Sequence, residues 1–160
     1  MLTDIKGFPL SPQQKRLYLL QAKSNAYIAQ SVIEITGNLN SQTLRTAIQE
    51  VVLENEILRT NFRKVAGMKM PVMVLEDSCF VSWQETEVIA SDIESICQQE
   101  RNQYFNLEQA PLLRALLIKI SASKYTFLLT LPALCADSET LNRLFLQICD
   151  RYSSTFPKLD

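Results

Sequence analysis

Two apolar segments in the second half of the sequence constrain the fold most. Residues 112–120 and 125–131 are almost entirely apolar, and the four residues SASK separate them. Short apolar runs that end at turn-forming residues are typical of buried strands. Neither run approaches the roughly 20 apolar residues that a membrane-spanning helix needs, and Arg114 and Lys119 interrupt the first run. We therefore predict a hairpin of two buried strands within a single unit formed by residues 1–160.

Four segments carry helix signals. After Ser11, which can cap a helix, Pro12 and Gln14 occupy the first and third helical positions. Three longer segments begin near residues 40, 91 and 137 with Asn, Ser or Asp, which are preferred caps. Their apolar side chains recur every three or four positions, as in a helix with one buried face. The predicted inward positions are Leu44, Ala47, Ile48, Val51 and Val52 in the first, Ile93, Ile96 and Cys97 in the second, and Leu141, Leu144, Phe145, Ile148 and Tyr152 in the third.

Extended segments alternate with these helices. Residues 27–36 are rich in Ile and Val, and residues 58–62 and 70–75 flank a turn at Gly67 as the arms of a hairpin would. Residues 80–83 predict a further strand. Because helices fall between hairpins along the chain, the predicted class is α+β. We expect a two-layer sandwich in which helices cover one face of one mixed sheet.

The absence of histidine limits the chemistry of this chain. None of the 160 residues is a histidine, so the usual general base at neutral pH and the commonest metal ligand are missing. The four cysteines, Cys79, Cys97, Cys135 and Cys149, lack the paired spacing of a zinc site. The N-terminal residues lack an apolar signal core, which predicts a cytoplasmic protein with reduced thiols. We predict no metal site.

The charge balance excludes one class of partner. The sequence has 16 basic and 17 acidic residues, a net charge of −1, and no block of like charges. Proteins that bind nucleic acid present a basic patch to the phosphates. We therefore expect no nucleic-acid partner, and the shortness of the apolar runs predicts no membrane partner.

Three motifs, in order, resemble those of one protein family. Residues 11–20, SPQQKRLYLL, are similar to the pattern S-x-A-Q-x-R-L-W-x-L. Residues 54–62, ENEILRTNF, are similar to R-H-E-x-L-R-T-x-F, and residues 105–115, FNLEQAPLLRA, to F-D-L-x-x-G-P-L-L-R-A. These patterns belong to the N-terminal half of the condensation domains of nonribosomal peptide synthetases. The resemblance implies a chloramphenicol-acetyltransferase-like half fold from which the C-terminal subdomain is absent.

A fourth motif departs from the family pattern where the family has its active site. There H-H-x-x-x-D-G follows an apolar strand and precedes a helix. Aligning the aspartate with Asp137 places Pro132 and Ala133 at the two histidines and Ser138 at the glycine. In the family, the second histidine assists the attack of an amine on a thioester. Alanine has no proton to transfer, so we predict a degenerate motif with no catalytic residue.

The resemblance also suggests roles for other residues. It implies that Asp137 forms an ion pair with a buried arginine, for which Arg59 is the candidate; the alternative is that Asp137 only caps the last helix. Cys135 lies within the degenerate motif, but without a histidine to activate it a small buried side chain is the simpler interpretation.

One exposed group could contact a partner. Gln14, Lys15 and Arg16 could meet the acidic surface of a carrier protein, or they could form the solvated face of a short helix. No cofactor is expected to bind directly. By resemblance, the phosphopantetheine arm of a carrier protein would approach the chain.

The sequence leaves two functions open. The first is a non-catalytic module that docks a carrier protein or a neighbouring synthetase domain or subunit. The second is the N-terminal half of a working condensation domain, which forms peptide bonds between carrier-bound substrates once it is joined to a C-terminal half. A half domain would expose an apolar face and could associate with itself.

Overall fold

The computed structural model describes residues 7–21 and 27–155, apart from the side chain of Ser138. Short 3₁₀ turns lie at Glu56–Arg59 and Ala90–Asp92. The strands are β1 (Gly7–Pro9), β2 (Ile28–Thr36), β3 (Thr60–Arg63), β4 (Val72–Leu75), β5 (Ser82–Glu87), β6 (Arg114–Ser121) and β7 (Lys124–Pro132), and the helices are α1 (Pro12–Gln21), α2 (Ser41–Glu54), α3 (Ile93–Asn102) and α4 (Ser138–Thr155).

The larger sheet has four strands in the order β2-β7-β6-β5. β7 runs antiparallel to both β2 and β6, whereas β5 runs parallel to β6, so the sheet is mixed. β6 and β7 are the two apolar segments of the sequence, and Leu117 lies opposite Phe127 in their register. The predicted buried hairpin is confirmed, and it occupies the two central positions of the sheet.

The smaller sheet has three antiparallel strands in the order β1-β4-β3. The predicted hairpin between β3 and β4 is confirmed, and Gly67 in its loop has a φ of 84°, a conformation that side chains with a Cβ rarely adopt. Gly7 lies against Val72 so closely that a Cβ at this position would come within 2.7 Å of the valine side chain. Close packing therefore favours glycine at position 7.

Helices cover both faces of the larger sheet. Leu117 and Phe127 join the main core with α2 and α4. The alternate positions of the same strands, including Leu116 and Leu128, pack on the opposite side against Ile96 of α3. The α+β class is confirmed, but the arrangement differs from the predicted single sheet with helices on one face. Because β6 and β7 are apolar on both faces, each face needs a cover.

The longer helices bury the positions that their periodicity predicts. All five predicted inward residues of α2 are buried, from Leu44 at 5% exposure to Val52 at 0%. In α4, Leu141, Leu144 and Ile148 are buried, and the other two predicted residues pack partly against the core. The inward residues of α3 are only half-buried, and two of them, Ile96 and Cys97, pack against a small cluster formed by Leu116, Ile118 and Leu128.

Candidate functional site

The candidate site is the loop between β7 and α4, where the family pattern has its catalytic motif. Pro132 ends β7 and pairs with Ile28 on β2. The next residue, Ala133, donates its backbone N–H to the carbonyl of Tyr27 at 2.9 Å, and Cys135 donates its N–H to the carbonyl of Pro132 at 2.9 Å. These hydrogen bonds fix the backbone of the loop beside the edge strand of the larger sheet.

Burial distinguishes the two positions aligned with the family histidines. Pro132 is buried, whereas Ala133 is partly exposed. Only the side chain at position 133 is therefore placed to reach a molecule in solvent. A methyl group there has no hydrogen-bonding capacity and cannot transfer a proton.

Asp137 caps the last helix. One carboxylate oxygen, Oδ1, accepts hydrogen bonds from the backbone N–H and the hydroxyl of Thr140, both at 2.8 Å. These two hydrogen bonds, which favour the charged carboxylate, hold the pKa of Asp137 below its usual value. The side chain is exposed to solvent. Asp137 thus caps the N-terminus of α4.

Arg59 has partners other than the one that the resemblance implied. Its guanidinium Nη1 donates to the backbone carbonyl of Glu76 at 2.6 Å and lies at 3.5 Å from that of Asp77. Within the part of the chain that the structure describes, Arg59 forms no ion pair with Asp137, so the implied pairing is corrected. The capping alternative matches the contacts of Asp137. Arg59 instead holds the segment that follows β4.

Replacing Asp137 with Ala should lower the free energy of unfolding by about 0.5–2 kcal/mol, the usual cost of losing a side-chain cap. Urea unfolding followed by circular dichroism measures this. Asp92 provides a matched control, because it stands at the start of α3 without a side-chain capping hydrogen bond. Asp92→Ala should therefore cost less than Asp137→Ala. Equal losses in the two variants would contradict the capping role.

The thiol in the loop is unsuited to nucleophilic chemistry. Cys135 is 7% exposed, and burial raises its pKa to about 12. The thiolate, which is the reactive form, is therefore scarce at neutral pH. Cys135 fills space between β7 and α4, together with the buried Leu134 and Ala136.

The possible partner-contact residues lie at the start of α1. Ser11 and Gln14 form a reciprocal capping box: the Gln14 side chain accepts from the Ser11 N–H at 2.9 Å, and the Ser11 hydroxyl accepts from the Gln14 N–H at 3.2 Å. Gln14 also approaches the Met73 sulfur at 3.4 Å. Gln14 is thus engaged within the fold, whereas Lys15 and Arg16 are exposed.

The structure contains a buried ion pair that was not predicted from the sequence. Arg114 Nε donates to Glu100 Oε1 at 2.6 Å, and the two side chains are 15% and 5% exposed. The guanidinium also stacks 3.8 Å above the Phe105 ring. The available signal was the charge of Arg114 within a strongly apolar run, since a buried charge needs a partner.

Residues 7–21 and 27–155 contain neither a metal-binding cluster nor a membrane-spanning helix. No group of three or more His, Cys, Asp or Glu side chains in these ranges could hold a metal ion. None of the helices within them combines the length and the apolar character needed to cross a membrane.

Comparison with known proteins identifies the family. A family model described as "Condensation domain" matches residues 5–156. The chain belongs to the condensation domain family. It is 32% identical over 154 residues to gramicidin S synthase 2 of Aneurinibacillus migulanus, covering 94% of this chain and 3% of that protein. It is 31% identical over 149 residues to tyrocidine synthase 3 of Brevibacillus parabrevis, covering 91% of this chain and 2% of that protein.

Solved structures show the same fold. The X-domain from teicoplanin biosynthesis superposes with a TM-score of 0.85 at 21% identity, covering 97% of this chain and 34% of that chain. The starter condensation domain of rhizomide synthetase gives a TM-score of 0.81 at 19% identity, covering 94% and 38%. The chain thus spans about a third of each of these solved chains. The expected chloramphenicol-acetyltransferase-like fold is confirmed.

Proposed function

We propose that this chain is a catalytically inactive condensation-type subdomain that docks a carrier protein or a neighbouring protein of a nonribosomal peptide synthetase in the cytoplasm. The observation that carries the proposal is the pair Pro132 and Ala133 at the positions of the family histidines, in a fold that otherwise matches condensation domains. The chain has kept the fold of the family but lacks the histidine side chain that transfers protons there. Selection for binding explains that combination.

The chemistry of the loop supports this proposal. Its backbone is tied to β2 and to its own turn, and its described carboxylate, Asp137, is occupied by Thr140. Its thiol, Cys135, is buried with a pKa of about 12. Among the described side chains of residues 132–137, none combines exposure with a pKa suited to general base catalysis near neutral pH.

A structural neighbour gives a precedent for docking. The X-domain from teicoplanin biosynthesis has been solved in complex with OxyB, and its chain superposes on this one with a TM-score of 0.83 at 22% identity, over 95% of this chain. That complex concerns the X-domain itself. A complex between a domain of this fold and a partner protein supports the docking role that we propose for this chain.

The proposed carrier contact uses the exposed start of α1. Lys15 and Arg16 are available to pair with acidic residues, whereas Gln14 contributes mainly by capping the helix. In this proposal the phosphopantetheine arm of the carrier protein passes near the β7–α4 loop without reacting. The arm belongs to the partner, so the chain itself requires no cofactor.

A second candidate is the N-terminal half of a working condensation domain. The observation in its favour is coverage, because the chain matches only 34% of the X-domain and 38% of the starter condensation domain. In this alternative a C-terminal half completes the site, and catalysis depends on positioning alone. In this alternative, two copies of the isolated chain would associate through the apolar face that the C-terminal half covers.

Calorimetric titration with phosphopantetheinylated carrier proteins of the synthetase tests the proposal. We expect micromolar binding of at least one carrier, about −8 kcal/mol, without acyl transfer when that carrier is loaded. Transfer by the isolated chain would contradict the proposal. Absence of binding to every carrier, with binding restored by a C-terminal half, would favour the second candidate.

A further inference from the structure

Basic residues are concentrated in one part of the fold. Residues 7–21 and 60–75 contain five basic residues and no acidic residue. The rest of the sequence contains 11 basic and 17 acidic residues. We call α1 together with the β3–β4 hairpin the basic lobe. Its five basic residues are Lys15, Arg16, Arg63, Lys64 and Lys69.

The basic lobe is one continuous structure. The Tyr18 ring of α1 lies 6.5 Å from the Phe62 ring of β3, measured between centroids. One turn earlier, Gln14 approaches Met73 of β4. Phe62 and Met73 are opposite one another in the β3–β4 register. α1 therefore contacts the small sheet through Gln14 and Tyr18, beside the hairpin that carries the other three basic residues.

Four of the five cations in the basic lobe form no ion pair with a described residue. Arg63 pairs with Glu76 at 2.6 Å. Lys15, Arg16, Lys64 and Lys69 are exposed, and none of them forms an ion pair with another described residue. By contrast, the exposed Arg151 of α4 pairs with Glu50 and Glu54. The lobe thus presents four cations that have no ion-pair partner among the described residues.

Apolar side chains lie among these cations. A cavity of about 340 Å³ opens between Tyr18 and the hairpin loop, and Lys64, Met68, Lys69 and Met70 line it. Met68 is 56% exposed. On the outward side of α1, Leu19 is 54% exposed, one turn from Lys15 and Arg16. Methionine side chains adapt to varied apolar partners, so the surface combines an apolar floor with a cationic rim.

We infer that the basic lobe docks an acidic amphipathic helix of a partner protein, with its apolar face over Met68 and the cavity and its carboxylates on Lys64 and Lys69. Charge complementarity selects the acidic partner, and an apolar groove is the usual receptor for an amphipathic helix. The inference rests on the proposed docking function and names a surface and a partner chemistry for it. A nucleic acid fits less well, because exposed apolar side chains gain little against phosphates.

Nuclear magnetic resonance on the full chain tests this surface directly. The probe is a synthetic amphipathic helix of about 18 residues, or five turns, with Leu on one face and Glu on the other. We expect the peptide to change the chemical shifts of residues in α1 and the β3–β4 hairpin only. Binding should weaken as added salt screens the charges. A matched peptide with Lys in place of Glu should not bind. Shifts elsewhere, equal binding by both peptides, or preferential binding of a short DNA duplex would overturn the inference.

Charge reversal identifies the residues responsible. The double variant Lys64→Glu/Lys69→Glu should bind the acidic peptide about tenfold more weakly. The control Lys119→Glu/Lys124→Glu, on β6 and β7, should bind as the unmodified chain does. Circular dichroism checks that both variants fold. Equal affinities in all three proteins would overturn the inference.

The same variants separate this inference from the proposed function. If carriers bind the unmodified chain and the Lys64→Glu/Lys69→Glu variant equally, the docking function stands and the basic lobe is the wrong surface. If no carrier binds while the acidic peptide shifts the lobe, the surface stands and carrier docking fails.

Discussion

Replacing Arg114 with Met should lower the free energy of unfolding by about 3–5 kcal/mol, the usual cost of removing one partner of a buried ion pair. The loss is large because Glu100, 5% exposed, would keep a buried charge with no cation beside it. Urea unfolding measures the change, with the midpoint and the slope determined separately.

Arg114 does more than neutralise Glu100. Its Nη2 donates to the Glu100 carbonyl at 2.7 Å, and its Nη1 lies 3.3 Å from the Tyr104 carbonyl. These carbonyls belong to the last turn of α3 and the residues that follow it, where a cation is favourable. Arg114 begins β6, so its side chain joins the end of α3 to the sheet. A lysine at position 114 could not form the same ion pair and carbonyl hydrogen bonds together, because it lacks the planar group of five N–H donors that arginine has.

Two variants make the prediction specific. Arg151 pairs with Glu50 and Glu54 at an exposed site, so Arg151→Met should cost no more than about 1 kcal/mol. The double variant Arg114→Met/Glu100→Leu should recover part of the loss, because no charge is then left buried. A loss for Arg114→Met as small as that for Arg151→Met would show that the pair contributes little.

The elements that the sequence predicts well are those whose signal is local. α2 carries five inward residues at helical spacing, and all five are buried. The hairpin of β6 and β7 follows from two apolar runs and a short turn. The Ser11 and Gln14 capping box forms as its spacing indicates. In each case the residues that determine the element are close together in the sequence, so pattern and structure agree.

Elements that depend on distant partners were predicted less well. The strand predicted at residues 80–83 is β5, Ser82–Glu87, a polar strand that gains its place by pairing with β6. The predicted strand began at Phe80, which lies outside β5 and is 86% exposed. Periodicity could not show which face of the sheet α3 would cover.

The sequence pattern also could not predict the hydrogen-bond partners of Arg59. Its contacts with the Glu76 and Asp77 carbonyls depend on how the chain leaves β4. No spacing rule connects an arginine with backbone carbonyls 17 and 18 residues away. The family motif suggested a carboxylate partner, whereas the fold supplies backbone oxygens.

Joined to the C-terminal subdomain of an active relative, the unmodified chain should form no peptide bond above background, and Ala133→His should raise the rate by at least about 100-fold. A positioned proton-transfer group contributes about 10²–10⁴-fold. Position 133 is the place to restore it, because its side chain is partly exposed and its backbone is fixed by the hydrogen bond to Tyr27. Product formation from two loaded carrier proteins, measured by mass spectrometry, gives the rate.

A glutamine at position 133, similar in size to histidine, separates the effect of a general base from the effect of side-chain shape. Ala133→Gln places hydrogen-bonding groups at the same position but has no imidazole to accept a proton, so its rate should stay at that of the unmodified chain. A histidine at the buried position 132 would instead need a hydrogen-bond partner inside the fold. If the unmodified joined domain already forms the peptide bond, then positioning of the substrates suffices for catalysis. The chain would then be the N-terminal half of a working condensation domain rather than a non-catalytic docking subdomain. If His and Gln at position 133 raise the rate equally, the missing proton-transfer group is not what keeps this fold inactive.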